Sequence, residues 1–362
     1  MEIKNNRLRE LDFLRGIAIV LVLVRHIPFS SFTTSIGWVG VDLFFVLSGF
    51  LVSGLLFKEY IKSGSIQPVR FLIRRGFKIY PLYYLFYIPY LLMKIGDGRF
   101  YWKGFAGDML FMQNFVTSWG WAYPASWSLA VEEHFYFALA FLMPLAFSKN
   151  MVLPKANQNK LFSFPAIILM LCVCGLLIRL VGNVFFPASQ VRLFTNTQYR
   201  YDSLLAGVFV SWHYYFKRDA MVVFFNKYKP FLYIVAVACL CWLPFYDAVG
   251  SLFSRTVGFS LLYISFGIVL TAFLVAPNIN KSLNSIFTKP VVNAISKVGV
   301  CSYSVYLIHT FIINLCERWQ LPAGYLFNLT GFLGSIAAGI VITYAIEKNI
   351  LRYRDRRFPM RG

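Results

Sequence analysis

Two ionisable side chains on the first apolar segment, Arg15 and His26, are spaced so that one ligand could touch both. They are eleven residues apart, which at about 100° per residue places them on one face of an α-helix, roughly 16 Å apart along its axis. A cation and an imidazole so arranged suit a long molecule with an anionic head and a reactive far end, such as acyl-CoA. The alternative, that Arg15 is a topology anchor paired with Asp12 and His26 an interfacial residue, fits this segment equally well.

A second polar group opens a later apolar segment, where Glu132, Glu133 and His134 are consecutive. Ionisable residues inside membrane segments cost about 2.5–3.5 kcal/mol each on insertion scales, so they point to function by default. Adjacent carboxylates beside a histidine at a membrane boundary are hard to explain as packing. They could orient a catalytic imidazole or bind a sugar hydroxyl.

Two further segments carry polar residues that allow two interpretations each. Ser302, Tyr306 and His309 fall within about 60° of one another on a helical wheel, so they form a stripe that should face the bundle interior. This stripe is either a hydrogen-bonded structural feature or part of a site. Ser48 and Gly49 either let two helices approach closely or contact a ligand.

A basic segment holds Arg70, Arg74, Arg75 and Lys78, followed by a Tyr-Pro pair. Residues three or four apart share a helical face, so Lys78 can act together with Arg74 and Arg75. Such a face could bind the phosphates of a ligand at a cytoplasmic mouth. It could equally bind anionic lipid headgroups.

Composition indicates what must position these residues. The chain has 362 residues, of which 58% are hydrophobic and only 14% charged, whereas soluble domains are about 45–50% apolar and about 25% charged. The net charge of +20 does not indicate nucleic acid, because the cations lie between apolar runs and form no single stripe. The six cysteines lie in apolar stretches without a ligand cluster, so we expect neither a metal nor a disulfide framework.

Apolar runs of about 20 residues predict an all-α integral membrane protein with ten spans. Threading ten spans with the N-terminus inside places 26 of the 35 Lys and Arg residues on the cytoplasmic side, which predicts that both termini are cytoplasmic. The first run has no cleavage site and stays as a span. The segment 105–115 is too short to span and is predicted to be re-entrant or interfacial. We expect residues 1–362 to form one membrane domain without an attached soluble domain. The ten predicted spans are Leu11–Pro28, Trp38–Phe57, Ile79–Ile95, Ser128–Phe147, Phe164–Phe185, Gln198–Phe216, Pro230–Tyr246, Arg255–Ala276, Gly299–Cys316 and Leu326–Ile346.

Together these segments resemble the acyltransferase 3 family of membrane acyltransferases. Each motif is weak alone, but five in the right order are highly specific. They are Leu11-Asp12-x-x-Arg15-Gly16 with His26, Gly40-Val41-Asp42-x-Phe44-Phe45-x-x-Ser48-Gly49, Arg74-Arg75 leading to Tyr80-Pro81, Trp127-Ser128-Leu129-x-x-Glu132-Glu133-x-Phe135-Tyr136, and Ser302-Tyr303-x-x-Tyr306-Leu307-x-His309.

The resemblance implies an enzyme that takes an acyl group, usually acetyl, from cytoplasmic acyl-CoA and delivers it to an acceptor at the outer face. The histidine matching His26 is the expected catalytic residue. Residues matching Arg15, Ser48, Arg74 and Arg75 are expected to line the acyl-CoA path. The family often has Arg at the position of Lys78, which weakens a bidentate phosphate contact there, and Gln at the position of His134. Many relatives carry an extracytoplasmic hydrolase-like domain. We expect this chain to lack one, so it should act alone or pass its product to a separate protein.

The sequence therefore predicts an O-acyltransferase of the bacterial inner membrane, with membrane lipid, acyl-CoA and a saccharide or lipid-linked saccharide as partners and no nucleic acid. His26 would deprotonate the acceptor hydroxyl or carry the acyl group, with Glu132, Glu133 and His309 in catalytic roles. The expected substrate-binding residues are Arg15, Ser48, Arg74, Arg75, Lys78, Asp12 and Tyr306. No metal or permanently bound cofactor is expected, because a thioester is already activated. The alternative is a transporter or flippase of a lipid-linked saccharide, and a third possibility is a catalytically inactive scaffold.

Overall fold

The computed structural model describes residues 8–153, 163–322 and 324–359. Helices make up 83% of the structure, and no strand occurs in these ranges. The helices are α1 (Arg9–His26), α2 (Ser31–Ile36), α3 (Gly40–Ser63), α4 (Pro68–Gly96), α5 (Trp102–Met109), α6 (Gln113–Val116), α7 (Trp127–Ser148), α8 (Phe164–Phe185), α9 (Gln190–Thr195), α10 (Tyr201–Phe216), α11 (Arg218–Ala238), α12 (Phe259–Val275), α13 (Ile279–Phe287), α14 (Lys289–Val300), α15 (Ser302–Arg318), α16 (Tyr325–Ile342) and α17 (Lys348–Arg357). The predicted all-α class is therefore confirmed.

Six helical segments of the described chain are long and apolar enough to cross a membrane, and a seventh is obtained if α14 and α15, bent by 80°, count as one span. The chain is thus a multi-pass membrane protein. Three predicted spans fold as helices without meeting this criterion. Helix α1 contains five charged residues, most of them in its terminal turns. Tyrosines and cations lower the mean hydropathy of α4, and α10 has only 16 residues. The count of ten remains a prediction.

The predicted charge pattern includes cations that lie outside the described residues, namely Lys4, Arg7, Lys155, Lys160 and Arg361. The short segment 105–115 forms parts of α5 and α6, as expected for a stretch too short to span. Asp108 fixes the following loop, since its carboxylate accepts from the backbone N–H of Trp121 (3.0 Å) and Ala122 (2.9 Å). Burial raises the pKa of Asp108 to about 6, against the lowering effect of these N–H groups.

Glycines allow the helices around α1 and α3 to approach closely. A Cβ at Gly16 of α1 would overlap the carbonyl oxygen of Ile295 in α14, and one at Gly299 would overlap that of Asp12. At the crossing of α3 and α10, a Cβ at Gly49 would overlap the carbonyl oxygen of Leu204. Small residues at membrane helix crossings bring backbones together where apolar burial cannot drive association. Helix α1 is thereby held against α14, and α3 against α10.

Two ion pairs lie in the bundle interior. Arg200 donates to Asp42 of α3 at 2.8 Å, and Arg179 of α8 donates to Asp202 of α10 at 2.5 Å, with all four side chains at most 1% exposed. The Arg200 guanidinium also lies 3.7 Å from the ring centroid of Phe259. Removing one partner of such a buried pair costs about 3–5 kcal/mol, because the other charge is left without compensation. These pairs fix α3, α8 and α10 relative to one another.

Candidate active site

A cavity of about 150 Å³ lies between α1, α3, α4, α7 and α15, and we call it the Arg15 cavity. Six of the residues predicted from the sequence line it, although they come from five separate helices. The wall also includes hydroxyl-bearing residues and apolar side chains of α3. The six predicted residues are Arg15, Ser48, Arg75, Lys78, Glu132 and Tyr306.

Hydrogen bonds to Glu132 organise one wall of the Arg15 cavity. Ser48 Oγ donates to Glu132 Oε1 at 2.7 Å, and the Tyr136 hydroxyl donates to Oε2 at 2.8 Å. The Arg75 guanidinium lies 5.2 Å from the Tyr136 ring centroid, within the range of a cation–π contact. Close helix approach, the first of the two interpretations of this pair, holds for Gly49, which packs against α10. Ser48 faces the cavity, and its contact with a ligand stays a prediction.

An ion pair that the sequence analysis missed holds Lys78 in the cavity wall. Lys78 of α4 pairs with Glu347, which follows α16 in a π-helical turn, Thr343–Glu347. Ser304 donates to the second oxygen of this carboxylate at 2.7 Å. Glu347 lies one residue beyond the last predicted span. It was missed because the charged C-terminal tail begins at this point of the sequence. The signal that could have identified it is its position directly after an apolar run.

Two predicted binding residues lie outside the wall of the Arg15 cavity. Arg74 donates to Asp355 of α17 at 2.9 Å and to the carbonyl oxygen of Phe358, so it holds the C-terminal helix against α4. Asp12 is buried on α1, where its backbone lies against Gly299 of α14. Arg74 and Arg75 are consecutive, and the roughly 100° between them on a helix separates their directions. The roles of Arg74 and Asp12 as ligand contacts stay predictions.

Two rings, those of Tyr306 and His309, lie between the Arg15 cavity and His26. Tyr306 lines the cavity, and its ring centroid lies 5.5 Å from that of His309, one turn further along α15. The His309 ring centroid lies 5.1 Å from that of His26 at the end of α1. His309 is 0% exposed, whereas the His26 side chain is exposed. The predicted stripe of α15 therefore faces the interior and reaches the predicted catalytic histidine.

The hydrogen bonds of His309 define its proton positions. Its Nδ1 lies 2.6 Å from the carbonyl oxygen of Tyr306, which also accepts from the Tyr123 hydroxyl at 2.6 Å. A carbonyl can only accept, so Nδ1 carries the proton in a neutral ring and Nε2 has a lone pair. That Nε2 is buried and makes no hydrogen bond to the described residues. His309 is thus a fixed imidazole with one unsatisfied acceptor beside His26.

The second carboxylate of the pair, Glu133, points elsewhere. Its Oε2 accepts from the Tyr80 hydroxyl at 2.6 Å, and its Oε1 is buried without a partner among the described residues. The neighbouring His134 bonds through Nδ1 to Thr197 Oγ1 at 2.7 Å. Within the described residues, Glu132 and Glu133 thus accept hydrogen bonds from hydroxyl groups. A role for either in orienting a histidine stays a prediction.

Sequence reasoning also missed the contacts that hold Tyr306. Its hydroxyl donates to the carbonyl oxygen of Ala125 at 2.6 Å and lies 2.7 Å from Ser128 Oγ. Ser128 belongs to the motif around Glu132, but a contact between residues 178 positions apart leaves no local signal. These bonds fix the ring at the end of the Arg15 cavity.

Comparison with known proteins shows the family of the chain. A family model described as an acyltransferase domain matches residues 8–348. The chain is 29% identical over 330 residues to peptidoglycan O-acetyltransferase OatA of Listeria monocytogenes, covering 84% of the chain and 49% of the relative. It is 26% identical over 356 residues to O-acetyltransferase OatA of Staphylococcus aureus, covering 91% and 55%. The chain thus spans about half the length of these curated relatives, and no solved structure matches.

These features define a helical membrane protein with a cation-bearing cavity whose wall residue Tyr306 contacts a pair of adjacent histidines. The chain belongs to the acyltransferase 3 family, since the family model covers nearly all of it.

Proposed function

We propose that this protein is a transmembrane O-acyltransferase that moves an acyl group, most simply acetyl, from cytoplasmic acyl-CoA to a saccharide hydroxyl at the outer face of the bacterial inner membrane. The observation that carries the proposal is the continuous series from the Arg15 cavity through Tyr306 and His309 to His26. The names of the two relatives support O-acetyl transfer.

Three cations of the Arg15 cavity would bind the donor. Arg15, Arg75 and Lys78 line the same cavity, and phosphate binds such cations by charge-assisted hydrogen bonds. The cavity of about 150 Å³ is smaller than typical ligand pockets of about 300–1,000 Å³. Donor entry would therefore separate Lys78 from Glu347 and shift Arg75 from the Tyr136 ring.

His26 would perform the chemistry in one of two ways. As a general base, it takes the proton of the acceptor hydroxyl while the oxygen attacks the thioester carbonyl; the C–S bond breaks, and the CoA thiolate leaves and is protonated. As a nucleophile, its nitrogen first takes the acyl group as the C–S bond breaks and CoA leaves. The acceptor oxygen then attacks the acyl carbon, the C–N bond breaks, and the freed imidazole takes the hydroxyl proton. His309, held by the Tyr306 carbonyl, would position the His26 ring in either case.

The finer architecture belongs to the same proposal. The protein would cross the membrane ten times with both termini in the cytoplasm and act as one membrane domain. Acyl-CoA would be a substrate rather than a resident cofactor, and the remaining partners would be lipid and the saccharide acceptor.

Replacing His26 tests the function directly. We expect His26→Ala to lower transfer of radiolabelled acetyl from acetyl-CoA to a glycan by at least about 100-fold, since general acid–base catalysis contributes about 10²–10⁴-fold. The matched control is His213→Ala, because His213 lies on α10 and bonds to the Phe209 carbonyl oxygen, away from the Arg15 cavity. Full activity of a folded His26→Ala protein would contradict the assignment. If wild-type protein moves a lipid-linked saccharide without releasing CoA thiol, the transporter alternative is correct.

A further inference from the structure

A second cleft opens beside the end of α1, and we call it the Arg25 cleft. It has a volume of about 570 Å³ and is lined by α1, α2 and the turn that follows α11. Six of its lining residues carry the argument: Arg25, Ser30, Thr34, Ser35, Tyr246 and Asp247. The roles proposed above do not involve this cleft.

The walls of the Arg25 cleft are fixed by internal hydrogen bonds. Arg25 Nη1 donates to the carbonyl oxygen of Thr34 at 3.0 Å, which ties α2 to the end of α1. Ser30 caps α2 by accepting from the Thr33 N–H at 3.1 Å. Asp247 Oδ1 accepts from the Val249 N–H at 3.0 Å, which fixes the opposite turn. The cleft is therefore preformed, which lowers the entropy cost of binding.

The polar groups of the cleft are suited to hydroxyls. The side chains of Thr34 and Ser35 donate to the carbonyl oxygens of Ser30 (3.0 Å) and Phe32 (2.8 Å), so their oxygens keep lone pairs that can accept. Arg25 offers N–H donors, and Asp247 offers carboxylate oxygens. A ligand that both donates and accepts through many hydroxyls would find partners for each role.

An aromatic surface completes the cleft. Tyr246 is 44% exposed and lines the wall next to Asp247. The ring presents an apolar face with a polar edge, which matches a pyranose with one face of C–H groups and a rim of hydroxyls. One cation and one anion make the lining nearly neutral, unlike the Arg15 cavity with its three cations. The charge of the Arg25 cleft therefore suits a neutral acceptor, whereas the charge of the Arg15 cavity suits an anionic donor.

The position of the Arg25 cleft relates it to His26. Arg25 and Pro28 both line the cleft, and they flank His26 in the chain. The exposed His26 does not itself line the cleft, but its backbone lies at the same end of α1 as these two lining residues, because consecutive Cα atoms are about 3.8 Å apart. Asn328 of α16 donates to the Pro28 carbonyl oxygen at 2.8 Å and holds this end. A saccharide with one ring in the cleft would thus lie at the end of α1 that carries the imidazole.

We propose that the Arg25 cleft is the acceptor subsite and binds one neutral pyranose ring of the saccharide, with the ring face on Tyr246 and the hydroxyls on Arg25, Thr34, Ser35 and Asp247. This inference rests on the proposed function, because it assigns the second substrate of the same reaction. It adds a specificity determinant that the histidine pair and the Arg15 cavity do not supply.

The test separates acceptor from donor kinetics in the full-length protein. With a tetramer of β-1,4-linked N-acetylglucosamine as soluble acceptor, we expect Tyr246→Ala to raise the acceptor KM about tenfold and to leave the KM for acetyl-CoA within twofold. Ser35→Ala should raise the acceptor KM by about threefold. The control is Tyr228→Ala on α11, whose side chain is similarly exposed at 40% and lies outside the cleft. Unchanged acceptor KM values in folded Tyr246→Ala and Ser35→Ala proteins would overturn the subsite.

A binding measurement without turnover keeps the two proposals apart. Saturation-transfer NMR of the same tetramer with His26→Ala protein should show contact, and the additional Tyr246→Ala change should remove it. If the tetramer still binds to the double variant, the acceptor subsite is wrong, even if the wild-type protein transfers acetyl groups to the tetramer. If His26→Ala protein still acylates the tetramer while Tyr246→Ala raises its KM, the histidine assignment fails and the acceptor subsite stands.

Discussion

At the scale of single residues, neighbouring positions in one motif have different physical roles. Ser48 donates to Glu132 in the Arg15 cavity, while the adjacent Gly49 lies against the backbone of α10. The sequence could indicate that both positions matter, because small and polar residues stand out in an apolar run. It could not separate the roles, since the rotation of α3 in the bundle depends on partners far along the chain.

Loss of the Ser48 hydroxyl should affect the donor rather than the fold. In Ser48→Ala, the Glu132 carboxylate loses one donor and turns its charge toward the phosphates, so we expect kcat/KM for acetyl-CoA to fall about tenfold. A hydrogen bond to a charged group is worth about 1.5–3 kcal/mol, which corresponds to at least tenfold. The matched control is Ser53→Ala on the same helix, where Ser53 donates to the Gly49 carbonyl oxygen at 2.6 Å. Equal kinetics for the two variants would remove Ser48 from the donor site.

At the scale of elements, helical periodicity predicted which residues share a face. Arg15 and His26 were placed on one side of α1 from their spacing, and Tyr306 and His309 on one side of α15. In the structure Arg15 and Tyr306 both line the Arg15 cavity, and the rings of His26 and His309 contact each other. Periodicity could not predict that Lys78 pairs with Glu347, because 269 residues separate them. Element faces are local properties, whereas element neighbours are properties of the whole bundle.

The crossing of α3 and α10 provides an element-scale prediction. We expect Gly49→Val to lower the melting temperature and the yield of monodisperse protein, because any Cβ there meets the Leu204 carbonyl oxygen. Overpacking of this kind typically costs about 1–3 kcal/mol and can cost more against backbone. The control is Gly267→Val on α12, where a Cβ has no atom within 4 Å. Thermal unfolding in detergent measures both, and a stable Gly49→Val protein would contradict the packing role.

At the scale of the whole molecule, segments predicted on the same side of the membrane contact one another. The predicted cytoplasmic segment with Arg74 meets the C-terminal helix through Asp355, and Glu10 accepts from Asn280 of α13 at 3.0 Å. The predicted outer segments, which include Thr34 and Asp247, meet in the Arg25 cleft. The side of the membrane on which each group of segments lies stays a prediction from the cation distribution. The number of spans is less accessible to sequence, since α1 and α4 carry the charged and polar residues of the candidate site and α10 has only 16 residues.

Reporter fusions test the predicted topology. A fusion of green fluorescent protein to Gly362 should fluoresce, because green fluorescent protein folds in the cytoplasm. A fusion of alkaline phosphatase to the same residue should have no phosphatase activity, because this reporter does not become active in the cytoplasm. A nine- or eleven-span arrangement would place the tail outside and give the reverse pattern. Removing the Lys and Arg residues of α17 should weaken this preference, since positive charge near span ends sets orientation.

The interior ion pairs have a further consequence for a protein in an energised membrane. A unit charge that crosses a potential of 100 mV exchanges about 2.3 kcal/mol with it. Asp42–Arg200 and Asp202–Arg179 are each electrically neutral, so the membrane voltage exerts no net force on either pair. The part of the bundle built from α3, α8 and α10 should therefore keep its conformation when the cell's voltage rises or collapses.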